Sequence, residues 1–202
     1  MTTPTSRTAV PAFHAKRLLY VVTGGIQAML LPNWLTWLRA SYPDTEVHTV
    51  LTPSSRRFVG TTAAAVANGS TMPTLDVWPE APDRALHVEL AAWPDAVLVH
   101  PATMHFIARL SLGLGDSPTL LALQCTRAPI VVCPSLPPDG HLNPAYQRHV
   151  LELSERDNVA VLPPVHGVSI STGEEGIGTA ARLPHALSAL EDLRSWKESA
   201  AA

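Results

Sequence analysis

At 202 residues, with 46% hydrophobic and 15% charged side chains, the chain has apolar material for one domain with a full core and too much for a disordered polymer. A net charge of −3, with 14 Lys and Arg scattered along the sequence, gives no basic field, which argues against nucleic acid or an anionic membrane as a main partner. Cys125 and Cys133 lack the paired spacing of a zinc site or a disulfide framework and no apolar run reaches the ~18 residues of a membrane span, so no metal and no membrane segment is expected and a reducing cytoplasm fits.

Met1 to Ala15 is rich in Thr, Pro and Ser and has no signal-peptide core, so residues 1–16 are expected to form a disordered leader. From Arg17 the pattern alternates. Leu18-Leu19-Tyr20-Val21-Val22 is a continuous apolar run of strand length closed by Thr23-Gly24-Gly25, and Ile26 to Ala40 then carries helical periodicity interrupted by Pro32. Glu46 to Leu51 predicts a second strand, leading at Thr52-Pro53-Ser54-Ser55 into a helix through Phe58. Ala96 to Val99 is strand-like and runs through His100-Pro101 into a helix near Thr103 to Leu112. Pro129 to Cys133 reads as a strand, Asn143 to Arg156 as a helix and Val159 to Val161 as a last short strand. Such alternation implies parallel strands joined by right-handed crossovers: an open, Rossmann-like α/β sheet with helices on both faces, three layers as in flavodoxin. One domain is expected over residues 17–195, with 196–202 as a tail.

Two segments fall outside the alternation. Pro137 to Pro144 is a loop after a strand, and Pro163 to Pro184 alternates Val165, Val168 and Ile170 among four glycines, as a mobile hairpin would over about 163–180. Ligands of open α/β sheets bind outside the carboxyl ends of the strands, so both segments are candidate walls of a site.

The turn Thr23-Gly24-Gly25 opens a helix, where free amides and the positive dipole end can hold a phosphate. A plain tight turn is the commoner meaning of a glycine pair, and without the three-glycine dinucleotide fingerprint a mononucleotide is the better guest. Thr52 offers a second phosphate contact or a helix cap. His87, in Leu86-His87-Val88-Glu89-Leu90, is not singled out by spacing from the chain's nine histidines. Trp34 and Trp37 sit three apart on a helix, a spacing that favours core over an interface.

Taken in order, these segments resemble the homo-oligomeric flavin-containing cysteine decarboxylases, which include lantibiotic peptide decarboxylases and phosphopantothenoylcysteine decarboxylase. The resemblance runs from Arg17 to Leu190 and implies flavin mononucleotide, FMN, as cofactor. It assigns the phosphate side to Thr23, Gly24, Gly25 and Ile26 together with Thr52, Ser54, Ser55 and Phe58. Pro101-Ala102-Thr103-Met104-His105-Phe106 occupies the place of the family's Pro-Ala-Ser-Ala-Asn-Thr flavin motif, which brings in Pro101, Ala102, Thr103 and His105, with Asp116 following in Gly113-Leu114-Gly115-Asp116. His87, in its His-x-x-Leu context, matches the family's active-site histidine, and Pro164 to Gly173 is similar to the substrate clamp, implicating Val165 and His166.

Departures from the family pattern are equally specific. His105 stands where relatives have a flavin-contacting asparagine, and Pro134-Ser135-Leu136-Pro137 stands in place of Pro-x-Met-Asn, so the asparagine that relatives turn on the substrate carboxylate is a proline here. Ser135, Leu136, His141 and Asn143 are the substitutes within reach in sequence. No cysteine follows Cys133, whereas the coenzyme A branch carries one in its flap to re-reduce the intermediate. The resemblance therefore implies oxidative decarboxylation of a precursor peptide's C-terminal cysteine to an aminoenethiol, by a homotrimer or homododecamer with flavin sites at subunit contacts. The competing readings are a flavin-binding regulatory or scaffold subunit without activity, and a phosphopantothenoylcysteine decarboxylase-like enzyme. A flavin prenyltransferase shares the turn but not the histidine context or the hairpin.

Overall fold

The computed structural model describes residues 10–169 and 173–201. Strand β1 (Arg17–Val22) buries all five residues from Leu18 to Val22, which forces it into the middle of a sheet covered on both sides. It pairs in parallel with β2 (Glu46–Leu51) on one side and with β4 (Ala96–Thr103) on the other. With β3 (Thr74–Leu75), β5 (Ile130–Ser135) and β6 (Val159–Val161), the six strands run in the order β3-β2-β1-β4-β5-β6, all parallel. This is the open α/β sheet expected from the alternation.

Alternate residues of each strand feed two separate cores. Leu18, Tyr20 and Val22 of β1 pack with α1 (Leu31–Ser41) and α7 (Leu183–Ala201), and Ala64 of α2 (Thr61–Ala67) joins them. On the opposite face Leu19 and Val21 meet α3 (Leu86–Ala92), α4 (Met104–Ser111), α5 (Pro118–Cys125) and α6 (Pro144–Ser154). Trp34 and Trp37 pack against the first core, their rings edge to face at 6.1 Å. Cys125 and Cys133 are both free thiols. No helix among the described residues is long and apolar enough to cross a membrane.

Several expectations need correction. The helix expected over 26–40 is a 3-10 turn, Ile26–Leu30, followed by α1. Pro32 causes the break, because a residue without an N–H is tolerated only in a helix's first turn, and that is where α1 places it. The helix through Phe58 is only a 3-10 turn, Ser55–Arg57.

In the described part of the expected leader, residues 10–16, the chain is docked on the domain. Phe13 and Ala15 are buried in the first core, Phe13 meets the Tyr42 ring at 5.6 Å, and the Tyr42 hydroxyl donates to the Pro11 carbonyl at 2.9 Å. Two apolar residues spaced by two were enough to dock a stretch whose average composition is polar. Nor do residues 196–201 form a tail: α7 continues to Ala201, with Arg194 bridging Glu191 and Glu198 one turn to either side and Lys197 reaching Asp157 at 3.2 Å. The expected hairpin is present as β7 (Val165–Val168) antiparallel to β8 (Glu175–Thr179); Ile170, at its expected tip, lies outside the described residues.

Candidate active site

From β1 the chain moves outward to β2 and β3, then returns to lay β4 against the other side of β1. The carboxyl ends of β1 and β4 are therefore where successive crossovers diverge, which leaves a crevice in any doubly wound sheet. Thr23 closes its floor. Its N–H and hydroxyl both donate to the Pro101 carbonyl, at 3.2 and 2.7 Å, and its hydroxyl oxygen accepts the Thr103 amide at 2.8 Å. Thr23 is 1% exposed, so its side chain rivets β1 to β4 and is not the phosphate contact expected of it.

Gly24 and Gly25 line the crevice because nothing larger fits there. A Cβ at Gly24 would lie 2.6 Å from Ser54 Cβ, and one at Gly25 would lie 3.1 Å from Ser135 Oγ. The first hydrogen bond of the following 3-10 turn is Ala28 N–H to Gly25 O, so the amides of Ile26 and Gln27 precede the turn's own ladder. From the second crossover only Ser54 presents a hydroxyl toward the glycines. Thr52 caps locally, its hydroxyl donating to the Val22 carbonyl at 3.3 Å and accepting both the Ser55 amide at 3.3 Å and the Ser54 hydroxyl at 3.2 Å, while the buried Ser55 hydroxyl donates to the Thr52 carbonyl at 2.8 Å. Phe58 is half-exposed and outside the cavity lining.

Pro101 and Ala102 are buried beneath the crevice, and Thr103 caps α4 by accepting the Phe106 amide. Above them opens a cavity of about 710 Å³, within the range of small-molecule sites. Gly24, Gly25, Ile26 and Gln27 form one wall, Thr103, Met104 and His105 the floor, and Ser135 to Pro138 with both hairpin strands the rest.

His100, next to Pro101, holds this architecture from behind. Its Nε2 faces the Ala181 carbonyl at 2.9 Å and so carries the proton, leaving Nδ1 to accept from the Tyr20 hydroxyl at 3.0 Å. Burial lowers its pKa from 6.5 to about 4 despite its backbone hydrogen bonds. The unfolded chain therefore binds more protons between those values. Stability from this site is full above about pH 6.5 and is lost as pH falls toward 4, by about 3 kcal/mol in all. Urea unfolding at several pH values should show a shallower acid slope in His100→Gln than in the wild type; equal slopes would refute it.

Not every expected residue reaches the cavity. Asp116 is held outside it in a bidentate pair with Arg109, Nε to Oδ2 at 3.0 Å and Nη2 to Oδ1 at 2.6 Å, and those hydrogen bonds keep its carboxyl below the usual range. Asn143 is the N-cap of α6, its Oδ1 accepting the Ala145 amide at 2.8 Å, and it is not among the residues that line the cavity. His141 is not among the lining residues, and its Nδ1 is shielded with no hydrogen-bond partner. Val165 and His166 give way to Gly167, Val168 and Ser169 as the hairpin's contribution, while Ser135 and Leu136 line the cavity as expected. Gln27, Met104 and Ile177 also line it; Met104 falls within the segment matched to the flavin motif and Ile177 within the hairpin, but neither was singled out as a contact, and Gln27 lies just past the glycine turn.

His87 is not brought to this cavity by its own chain. It sits in the first turn of α3 and lines a second cavity of about 580 Å³ with Val88, Pro94, Cys125 and Arg127. Its ring lies edge to face with Trp78 at 5.5 Å, and its buried Nδ1 has no partner.

Residues 11–193 match the family model described as Flavoprotein. The chain belongs to the Flavoprotein family. This flavoprotein is 36% identical, over 92% of its length and 95% of the relative's, to the cypemycin cysteine dehydrogenase (decarboxylating) of a Streptomyces species. Among solved structures, it superposes on the cypemycin decarboxylase CypD with a TM-score of 0.75 at 31% identity, covering 94% of this chain and 99% of that one. It superposes on SpaF, an FMN-dependent cysteine decarboxylase, with a TM-score of 0.75 at 27% identity, covering 89% and 97%.

Proposed function

We propose that this flavoprotein catalyses FMN-dependent oxidative decarboxylation of the C-terminal cysteine of a ribosomally made precursor peptide in a reducing cytoplasm, releasing an aminoenethiol for an aminovinyl-cysteine ring. The observation that carries the reading is the switch-point cavity, walled by the glycine turn and the hairpin, in a chain 36% identical to a protein named for decarboxylating cysteine dehydrogenation.

The residues present fit the cofactor. A phosphate beside Gly24 and Gly25 would meet the amides of Ile26 and Gln27 and the Ser54 hydroxyl, where a Cβ on either glycine would intrude. The ring would rest on Thr103, Met104 and His105, with Ile26 at its edge. When bound, FMN supplies the hydride acceptor for the cysteine Cβ, leaving a thioaldehyde on the peptide. Carbon dioxide then departs from the adjacent carbon, because the electron pair left behind delocalises onto sulfur.

This chain's residues hold and shield the peptide. None of the described lining residues is a Lys, Arg, Asp or Glu, and Pro137 and Pro138 offer neither a side-chain amide nor an N–H. Carboxylate recognition falls to the Ser135 hydroxyl, which faces Gly25, and to the His105 imidazole. Peptides ending in cysteine should lose the mass of carbon dioxide plus two hydrogens on incubation with the protein. Retention of the full mass despite bound flavin would favour the regulatory reading, whose one support is the loss of the family's asparagine at Pro137.

The reading also requires assembly. His87, with its unpartnered Nδ1 beside the exposed Val77, Trp78 and Val88, would face the cavity of a neighbouring copy in a homotrimer or a homododecamer of trimers. There the imidazole would take the thiol proton or hold the carboxylate. Sedimentation of the yellow protein as a monomer would count against it.

A further inference from the structure

The exit of the hairpin is stitched in succession to the crossover after β5, to the crossover after β1 and to strand β4. Leu136 N–H donates to the Gly178 carbonyl at 2.8 Å, an approach open only to glycine because a Cβ at Gly178 would run into the Leu136 carbonyl. Three residues on, the Ala181 carbonyl accepts from His100 Nε2 at 2.9 Å. Between these anchors lies Ala180, 1% exposed, whose N–H donates to Gln27 Oε1 at 2.7 Å and whose carbonyl accepts from Gln27 Nε2 at 3.4 Å. One side-chain amide thus satisfies both polar groups of one residue, as a neighbouring strand would. Gln27 is also the second residue of the 3-10 turn that follows Gly25, and it lines the cavity.

We infer that Gln27 is a positioning residue that clasps the root of the hairpin to the glycine turn, so that the cofactor wall and the substrate wall of the cavity are set by a single amide. The inference rests on the proposed decarboxylase reading for its functional consequence, while the clasp itself can be tested without turnover. A carboxamide is required because the clasp needs a donor and an acceptor together. A leucine offers neither, and a carboxyl offers both only while protonated.

Two variants, Gln27→Glu and Gln27→Leu, keep the main-chain amides of the turn, and flavin absorption measured on each gives the FMN-loaded fraction to which its rates are referred. In Gln27→Leu the peptide KM should rise about tenfold at every pH, the loss expected for one or two hydrogen bonds, with kcat little changed. In Gln27→Glu, KM relative to the wild type should be lowest at the acid end of the assay range and climb, by up to about tenfold, as pH rises and the carboxyl, whose neutral form is favoured by the facing Ala180 carbonyl, ionises. Taking the ratio at each pH removes the titration of His100, which faces Ala181, and of His105 on the cavity floor. Amide exchange across residues 176–181 should quicken about tenfold in Gln27→Leu, with or without flavin. A wild-type KM in both variants, or the same pH-independent rise in both, would overturn the clasp. If the wild type shows no turnover, the decarboxylase reading fails and the exchange measurement alone decides: faster exchange supports the clasp, and unchanged exchange removes it.

Discussion

His87→Asn will leave the protein yellow and assembled and will lower turnover by ~10²–10⁴-fold, the usual contribution of a positioned acid–base group. The substitution is mild for the fold. His87 is only partly buried, α3 is anchored through Leu90 at 3% exposure, and asparagine keeps polar capacity beside Trp78. It removes the one property that matters, an imidazole's capacity to transfer a proton. Steady-state assay with a peptide ending in cysteine, run beside an absorption spectrum, checks both halves, and wild-type turnover would remove His87 from the chemistry.

The second large effect is expected at Gly24. A valine there would push its Cβ to 2.6 Å from Ser54 Cβ and its methyls into the cradle, so Gly24→Val should weaken FMN binding on the order of 100-fold and yield a colourless protein. Gly60→Ala is the control, because a Cβ at Gly60 meets nothing within 4 Å, and it should stay yellow. Flavin titration followed by fluorescence distinguishes the two. The variants also combine into a test of a shared site. Mixed assemblies of His87→Asn with Gly24→Val chains should regain activity, because some cavities would then pair an intact turn from one copy with an intact His87 from another. Persistent inactivity of the mixture would place both residues within one chain's site.

Much of the sheet was legible because burial on both faces writes itself as continuous apolar runs. Leu18 to Val22 and Ile130 to Cys133 needed no tertiary information to be read as central strands. Strand β3 escaped notice since two residues, Thr74 and Leu75, carry no period. Helix α2 was missed for a related reason: Thr61–Ala67 is mostly small residues, whose hydrophobic contrast is weak. Phe13 and Ala15 show the opposite failure, being buried in a segment that composition marked as leader.

The site divides in the same way. Gly24 and Gly25 were singled out by a glycine pair between a strand and a helix, a pattern that by itself reads more often as a tight turn, and His87 only by its family context. Their neighbours were not separable by type. Thr23, Thr52 and Ser55 all looked like phosphate contacts, yet their hydroxyls bond main-chain groups, Pro101, Val22 and Thr52 among them, and Ser54, itself bonded to the Thr52 hydroxyl, is the one that lies against Gly24. Asn143 carried two possible meanings, cap or ligand, and the hydrogen bond to Ala145 decides for the cap.

By itself the sequence determined the alternation of strand and helix, the position of the glycine turn at the first crossover, and the family pattern with its missing asparagine. Those are properties of local period and residue type, which burial and backbone freedom impress on neighbouring positions. Tertiary structure alone decided which partners the hydroxyls find, that Gln27 meets Ala180 across 153 residues of chain, and that His87 and the glycine turn line different cavities of the chain. A hydrogen bond between distant segments depends on where the sheet carries each of them, and no pattern within a few residues of either partner records that distance.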